Sequence, residues 1–217
     1  MAIIFDFNGT MFFDEAFQEQ ACRSFIGQKI NRAVTDDEFR KYIHGRNADF
    51  TMEYFLQKSF TRSEVETLEE EKELIYRELC QKSRDFKLAP GLIDFLDELK
   101  LNKVKINIAT ASGLNNVKFF FENLNLSKWF DISRLVYNDG SCKGKPAPDM
   151  YLKAAGKLGV PMSECFVFED SESGIEAARR AGAKGIVKVI SDRAIAFESK
   201  ADLEITTYAG LDYKQFV

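Results

Sequence analysis

Near its start the sequence carries an unbroken apolar run, Ala2-Ile-Ile-Phe5, that leads directly into Asp6, with Gly9 three residues further on. A short run without polar interruption suits a strand buried on both faces of a parallel sheet. A carboxylate at the C-terminal end of such a strand stands where open α/β sheets bind their ligands. Gly9 adds a turn at which backbone can approach a ligand closely. An Asx-turn that merely ends the strand accounts for the same residues, so the decision falls to the rest of the chain.

From about Asp14 to Arg84 the pattern is helical throughout. Phe17, Ala21 and Phe25 share one face. Thr35-Asp-Asp-Glu38 and Thr61-Arg-Ser-Glu64 are capping-box patterns that open two further helices. The last of these carries Val65, Leu68, Ile75 and Leu79 as an apolar stripe among dense Glu, Lys and Arg, a solvated face rather than a binding site. The expected division is a helical domain at residues 14–85 inserted into an α/β domain made of 1–13 and 86–217.

After Pro90-Gly91 the period changes. An amphipathic helix on Leu92, Phe95, Leu96 and Leu99 precedes a strand, Val104 to Ala109, that ends in Thr110-Ala-Ser112. Gly113 opens the next helix, and Leu135 to Tyr137 reads as a short strand. Two prolines fix the loop Lys143-Gly-Lys-Pro-Ala-Pro148. A helix on Met150, Ala154, Ala155 and Leu158 follows, then a buried strand, Cys165 to Phe168, ending in Glu169-Asp170. Ser173-Gly-Ile-Glu176 is a third capping-box pattern, on a helix that stops near Gly182, and strands at 185–190 and 203–206 close the chain. Alternating strands and helices predict a doubly wound parallel sheet.

The residue inventory removes several chemistries. His44 is the only histidine, so paired-histidine zinc sites are impossible, and no G-x-S-x-G elbow offers a serine nucleophile. Gly140 to Lys145 has three residues between its glycines, against four in a P-loop, and Pro146 follows where Ser or Thr is needed. Cys22, Cys80, Cys142 and Cys165 are scattered, as reduced thiols of a cytosolic protein are. The net charge is −4, and no basic run marks a nucleic-acid or membrane partner. The expectation is a cytoplasmic monomer that binds neither.

Asp6-Phe-Asn-Gly-Thr10, the strand into Thr110, Gly144-Lys-Pro-Ala-Pro148 and Phe168-Glu-Asp-Ser-Glu-Ser-Gly174 occur in that order. Together they resemble the haloacid dehalogenase-like superfamily, in its β-phosphoglucomutase-like and sugar-phosphatase branch, over essentially the whole chain. The resemblance implies a Rossmann-like core, a helical cap, and a phosphohydrolase acting on a small phosphorylated metabolite of the sugar phosphate class. It implies Asp6 as covalent nucleophile, and Mg²⁺ on Asp6, the main-chain carbonyl of Asn8 and Asp170, with Glu169 beside them. Thr110 and Lys145 complete the catalytic group, and Phe7, Gly9, Thr110, Ala111 and Lys145 are its phosphate-binding positions. Gln18, His44, Gly45 and Arg46 are the cap residues nominated for substrate selection. His44 and Arg46 capping a helix end is an equal reading.

One position departs from the family pattern. Where Asn8 stands, the family's phosphatases and mutases carry a second Asp, the general acid and base. A carboxamide exchanges no proton near neutral pH, which puts a factor of roughly 10²–10⁴ in rate at stake. The open readings are a slow phosphatase, a β-phosphoglucomutase-like phosphomutase, and a non-catalytic protein that binds a phosphorylated metabolite. Gln18 stands where such mutases carry a cap histidine, which weakens the mutase reading. The adjacent Glu169-Asp170 pair argues against a metal-free dehalogenase.

Overall fold

The computed structural model describes residues 1–44, 46–191, 197 and 200–216. The chain divides into two compact units, Met1–Glu15 with Lys87–Val217, and Ala16–Phe86. The first is α/β and the second helical.

The α/β unit is built on five parallel strands: β1 (Ala2–Phe5), β2 (Lys105–Ile108), β3 (Cys165–Glu169), β4 (Gly185–Val189) and β5 (Leu203–Ile205). Their spatial order is β2-β1-β3-β4-β5. Ile3 is paired with Ile106 on one side and Phe166 on the other. All four residues of β1 are fully buried, as their unbroken apolarity requires. Because strand side chains alternate, Ala2 and Ile4 meet one layer and Phe5 the other. Ala2 and Ile4 join Val167 and Ile186 in a core with Tyr151, Ala154, Ala155, Ile175 and Ala178. On the opposite face the Phe5 ring lies 5.0 Å from Phe168 and 6.5 Å from Phe95, and Tyr208 stacks on Phe168 at 5.7 Å.

The helical unit holds α1 (Glu15–Ile30, whose first residue belongs to the α/β unit), α2 (Asp36–Tyr42), α3 (Ala48–Leu56) and α4 (Arg62–Lys82). Thr35 and Thr61 form the two expected capping boxes, each accepting from the N–H three residues on while the Glu side chain reaches back. Phe25, Ile26, Val34, Ile43, Met52 and Phe55 make its core, with Leu68 and Ile75 packed against it. The α4 stripe is deeper than its Val-Leu-Ile-Leu pattern suggests. Tyr76 and Cys80 are its fully buried members, whereas Val65, Leu68, Ile75 and Leu79 are half-buried.

The remaining helices are α5 (Leu92–Leu101), α6 (Leu114–Asn123), α7 (Asp149–Leu158) and α8 (Glu172–Ala181). Two expectations are corrected here. Residues 135–137 form no strand: Val136 makes a single parallel bridge to Ala109, accepting from the Thr110 N–H. The cap of α8 is Ser171, not Ser173, because Glu169 Oε2 accepts from both the N–H and hydroxyl of Ser171 and sets it in the N-cap position. Glu176 instead pairs with Arg179 and Arg180.

Candidate active site

Three adjacent strands end at one place. The Asp6 N–H donates to Phe168 O at 2.9 Å, so the β1–β3 ladder runs one residue past β1 and fixes the Asp6 backbone. On the other side Ala109 N donates to Phe5 O at 2.8 Å, which brings Thr110 alongside. Glu169 ends β3 and Asp170 follows it. Oxygens of Asp6, Glu169 and Asp170 lie within 4.8 Å of one another.

Lys145 enters from the loop before α7, across a cis peptide to Pro146. Its ammonium donates to Asp6 Oδ1 at 2.5 Å and to Glu169 Oε1 at 2.6 Å. Its side chain is only 8% exposed, so Lys145 is not a surface lysine. Glu169 is fully enclosed and heavily bonded. Oε1 also accepts from the Tyr151 hydroxyl at 3.0 Å, and Oε2 accepts from the N–H and hydroxyl of Ser171 at 2.7 and 2.9 Å. The Tyr151 ring faces the ammonium at 5.1 Å. Asp170 Oδ1 accepts from the Thr10 hydroxyl at 3.0 Å. Thr10 and Ser171 stand inside the sequence motifs without an assigned role, and Tyr151 had no signal there, since its bond to Glu169 joins residues far apart in the chain.

Two glycines make room for these carboxylates. A Cβ on Gly9 would stand 2.1 Å from Asp170 Oδ2, and one on Gly174 would stand 1.6 Å from Glu169 Oε1. Gly9 also adopts φ +74°, a conformation that other residues resist.

Two buried carboxylates, Asp6 and Glu169, and the half-buried Asp170 around one ammonium leave an excess of negative charge. Burial, with the charges of Glu169 and Asp14, pushes Asp6 up to about 7 against the pull of Lys145. Burial and the charges of Glu169 and Asp6 hold Asp170 well above the usual carboxylate range. Lys145 moves the other way from what burial dictates, because Asp6 and Glu169 more than offset it and keep the ammonium charged. A divalent cation on hard oxygen donors would relieve this crowding. Glu169 already accepts four hydrogen bonds, so Asp6 and Asp170 are the carboxylates better suited to ligate and Glu169 to orient Lys145.

Thr110 is buried, and its hydroxyl oxygen accepts from Ser112 N at 3.1 Å, the turn-forming role. Phe7 stacks on Phe120 at 4.3 Å, so its side chain belongs to the core and only its backbone can serve a ligand. The Gly9 N–H donates to Phe12 O at 2.8 Å and Asp14 Oδ1 at 3.1 Å, so what Gly9 gives the site is the missing Cβ. Ala111 is exposed on the loop after β2.

Asn8 is bonded at both ends of its amide. Its Nδ2 donates to Asp14 Oδ2 at 2.6 Å, and its Oδ1 accepts from the Ser112 hydroxyl at 2.7 Å. Asp14, only 2% exposed, is the residue that the sequence pattern concealed. It falls at the edge of a helix, where an acidic residue looks like ordinary N-terminal charge.

In the helical unit Gln18 is half-buried and its Oε1 accepts from Lys72 Nζ at 3.3 Å. His44 and Arg46 are exposed after α2, and Arg46 Nε donates to Lys41 O at 3.1 Å, as the capping reading expects. Gly45 lies outside the described residues.

A phosphorylated carbohydrates phosphatase of Thermotoga maritima is 28% identical over 206 residues, covering 92% of this chain and 91% of its own. The β-phosphoglucomutase of Bacillus subtilis is 29% identical over 186 residues, covering 83% and 80%. The crystal structure of a HAD hydrolase, family IA, variant 3, from Entamoeba histolytica superposes with a TM-score of 0.91 at 35% identity, covering 100% of this chain and 97% of that one. A family model described as haloacid dehalogenase-like hydrolase matches residues 1–182. With an aspartate on the first strand end, a lysine before α7 and an acidic pair on the third strand end, the chain belongs to the haloacid dehalogenase-like hydrolases.

Proposed function

We propose that the chain is a Mg²⁺-dependent phosphohydrolase of a small phosphorylated metabolite, of the sugar phosphate class, working through an aspartyl-phosphate on Asp6. The observation that carries this is the convergence of Asp6, Lys145, Glu169 and Asp170 on adjacent strand ends. The substrate class is supported by the similarity to a phosphorylated carbohydrates phosphatase and a β-phosphoglucomutase.

In this reading Asp6 Oδ attacks phosphorus and the P–O bond to the sugar oxygen breaks. Lys145, held by Glu169, sits against the nucleophile and neutralises charge gathered on the transferred group. Thr110 and the backbone of the Asp6–Thr10 turn orient the phosphoryl oxygens. Asp6, Asp170 and the main-chain carbonyl of Asn8 would hold Mg²⁺, with Glu169 behind them. When bound, the ion would screen the repulsion between an anionic nucleophile and an anionic substrate. We assign the helical unit the role of cap, with Gln18, His44 and Arg46 as the residues that discriminate substrates and Gly45 as their neighbour in sequence.

The test is covalent labelling with acetyl phosphate and Mg²⁺, read by intact mass and peptide mapping, beside a hydrolysis panel of sugar phosphates. Phosphate on Asp6, lost in Asp6→Asn and in excess EDTA, is the expected outcome. Reversible binding of phosphorylated sugars with neither labelling nor turnover would replace the enzyme reading with the binding one that Asn8 favours.

A further inference from the structure

The turn after β1 closes on itself. Phe7 O accepts from the N–H groups of Met11 and Phe12 at 2.8 and 3.1 Å, and Gly9 N donates to Phe12 O. At the end of this turn Thr10 is fully buried and bonded in two directions. Its hydroxyl donates to Asp170 Oδ1 at 3.0 Å, and its main-chain oxygen accepts from the Tyr208 hydroxyl at 3.2 Å.

Tyr208 stands after β5, outside residues 1–182 over which the chain matches the family. Its own placement is firm. The ring stacks on Phe168, the residue before the acidic pair, and the N–H donates to Pro90 O at 2.9 Å. The Thr207 hydroxyl donates to the same Pro90 oxygen at 3.1 Å. Backbone packs so tightly here that a Cβ on Gly91 would stand 2.1 Å from Ala209 N. Burial, with the charges of Asp170 and Asp6, pushes the Tyr208 phenol well above its ordinary range, so the hydroxyl remains a donor.

We propose that Tyr208 is a positioning residue for the metal site, setting Asp170 through Thr10. This rests on the phosphohydrolase reading, in which Asp170 is a Mg²⁺ ligand, and extends it to a segment that carries no motif. Asp170 stands among like charges that push it away from Asp6 and Glu169. The Thr10 hydroxyl holds one of its oxygens, but only as firmly as the Thr10 backbone is itself held. The Tyr208 hydroxyl fixes that backbone to the far end of the chain. Hydrogen-bond partners behind a ligating carboxylate tune how well it holds a metal.

The test is Mg²⁺ affinity by calorimetry on the whole chain, Tyr208→Phe, Thr10→Val, Thr10→Ser and Tyr208→Phe with Thr10→Val. Phe keeps the ring on Phe168, and Val keeps the shape of Thr. Loss of a partner behind a metal ligand costs about 10–100-fold in affinity. Tyr208→Phe is expected near the lower bound, Thr10→Val at least as low, and Thr10→Ser, which keeps a hydroxyl, close to the unaltered chain. Because the two residues act in series, Tyr208→Phe is expected to add nothing to Thr10→Val.

Unchanged affinity in Tyr208→Phe would overturn the assignment and leave the phosphohydrolase reading standing. So would a double variant whose loss is the product of the two single losses, which marks independent structural damage. A loss in Thr10→Ser as large as in Thr10→Val would do the same, since the hydroxyl would then carry nothing. Folding is checked by circular dichroism, and a Tyr208→Phe unfolded in buffer is titrated in sucrose, which favours the buried state. Absence of Mg²⁺ binding by the unaltered chain would overturn the metal-dependent reading itself, and the Tyr208 assignment with it.

Discussion

Lys145 Nζ and Glu169 Oε1 are 2.6 Å apart, with the carboxylate fully enclosed and the lysine side chain 8% exposed. Removing one member of a buried pair strands the other, at a cost of about 3–5 kcal/mol. Lys145→Met should therefore lower the stability of the α/β unit by about that amount in urea unfolding at pH 8. A loss well under 1 kcal/mol would show that solvent reaches Glu169 freely.

Gly9 is required twice, by its φ of +74° and by the 2.1 Å that a Cβ would leave to Asp170 Oδ2. Gly9→Ala should cost about 1–2 kcal/mol from the left-handed backbone alone. It should also displace Asp170, so Mg²⁺ affinity by calorimetry is expected to fall along with the unfolding midpoint. A stability loss with unchanged affinity would separate the backbone effect from the carboxylate.

Metal binding should raise the midpoint of thermal unfolding, since a ligand that prefers the folded state stabilises it by mass action. Millimolar Mg²⁺ is expected to do so in the unaltered chain and to do nothing in Asp170→Ala. Equal shifts in both would place the ion elsewhere. EDTA should suppress any phosphatase activity.

Glu38 is held down to about 2 by its hydrogen bonds to the Arg32 guanidinium and the Thr35 backbone. Its ordinary value is 4.5, so the folded form binds the proton less readily than the unfolded one. The stabilisation is complete above about pH 4.5 and is lost as pH falls through the folded value. Glu38→Gln should thus lower the melting temperature of the helical unit near pH 7 and converge with the unaltered chain near pH 2. Parallel curves across that range would mean that the bonds contribute nothing.

Much of this was legible in residue order, for physical reasons that also explain the failures. β1 and β3 announce themselves because strands buried on both faces tolerate no polar residue, and the carboxylates that end them stand out by contrast. Leu135 to Tyr137 has the same local chemistry but only one bridging partner, so burial there does not amount to a strand. Ser171 and Ser173 are equally good caps in isolation, and Glu169 decides between them. Asp14 was invisible because its partners are defined by a tight turn, not by periodicity. Arg46 shows another limit: residue order offered it a capping role and a ligand role equally, and only the capping bond is local enough to be set by its own helix end.

The pairing of β1 carries a consequence for how the chain is made. Ile3 must wait for Ile106 and Phe166, while the whole helical unit emerges in between. Contacts so distant in sequence close slowly, whereas helices with their own caps and core close fast. During synthesis the segment that bears Asp6 is therefore an unpaired apolar strand beside an already ordered helical neighbour in the sequence. Its exposed backbone groups invite association with other nascent chains until β2 and β3 arrive. Expression yield should respond more sharply to slowed elongation before residue 165 than to any change after it, since β3 is the strand that completes the flanking of β1.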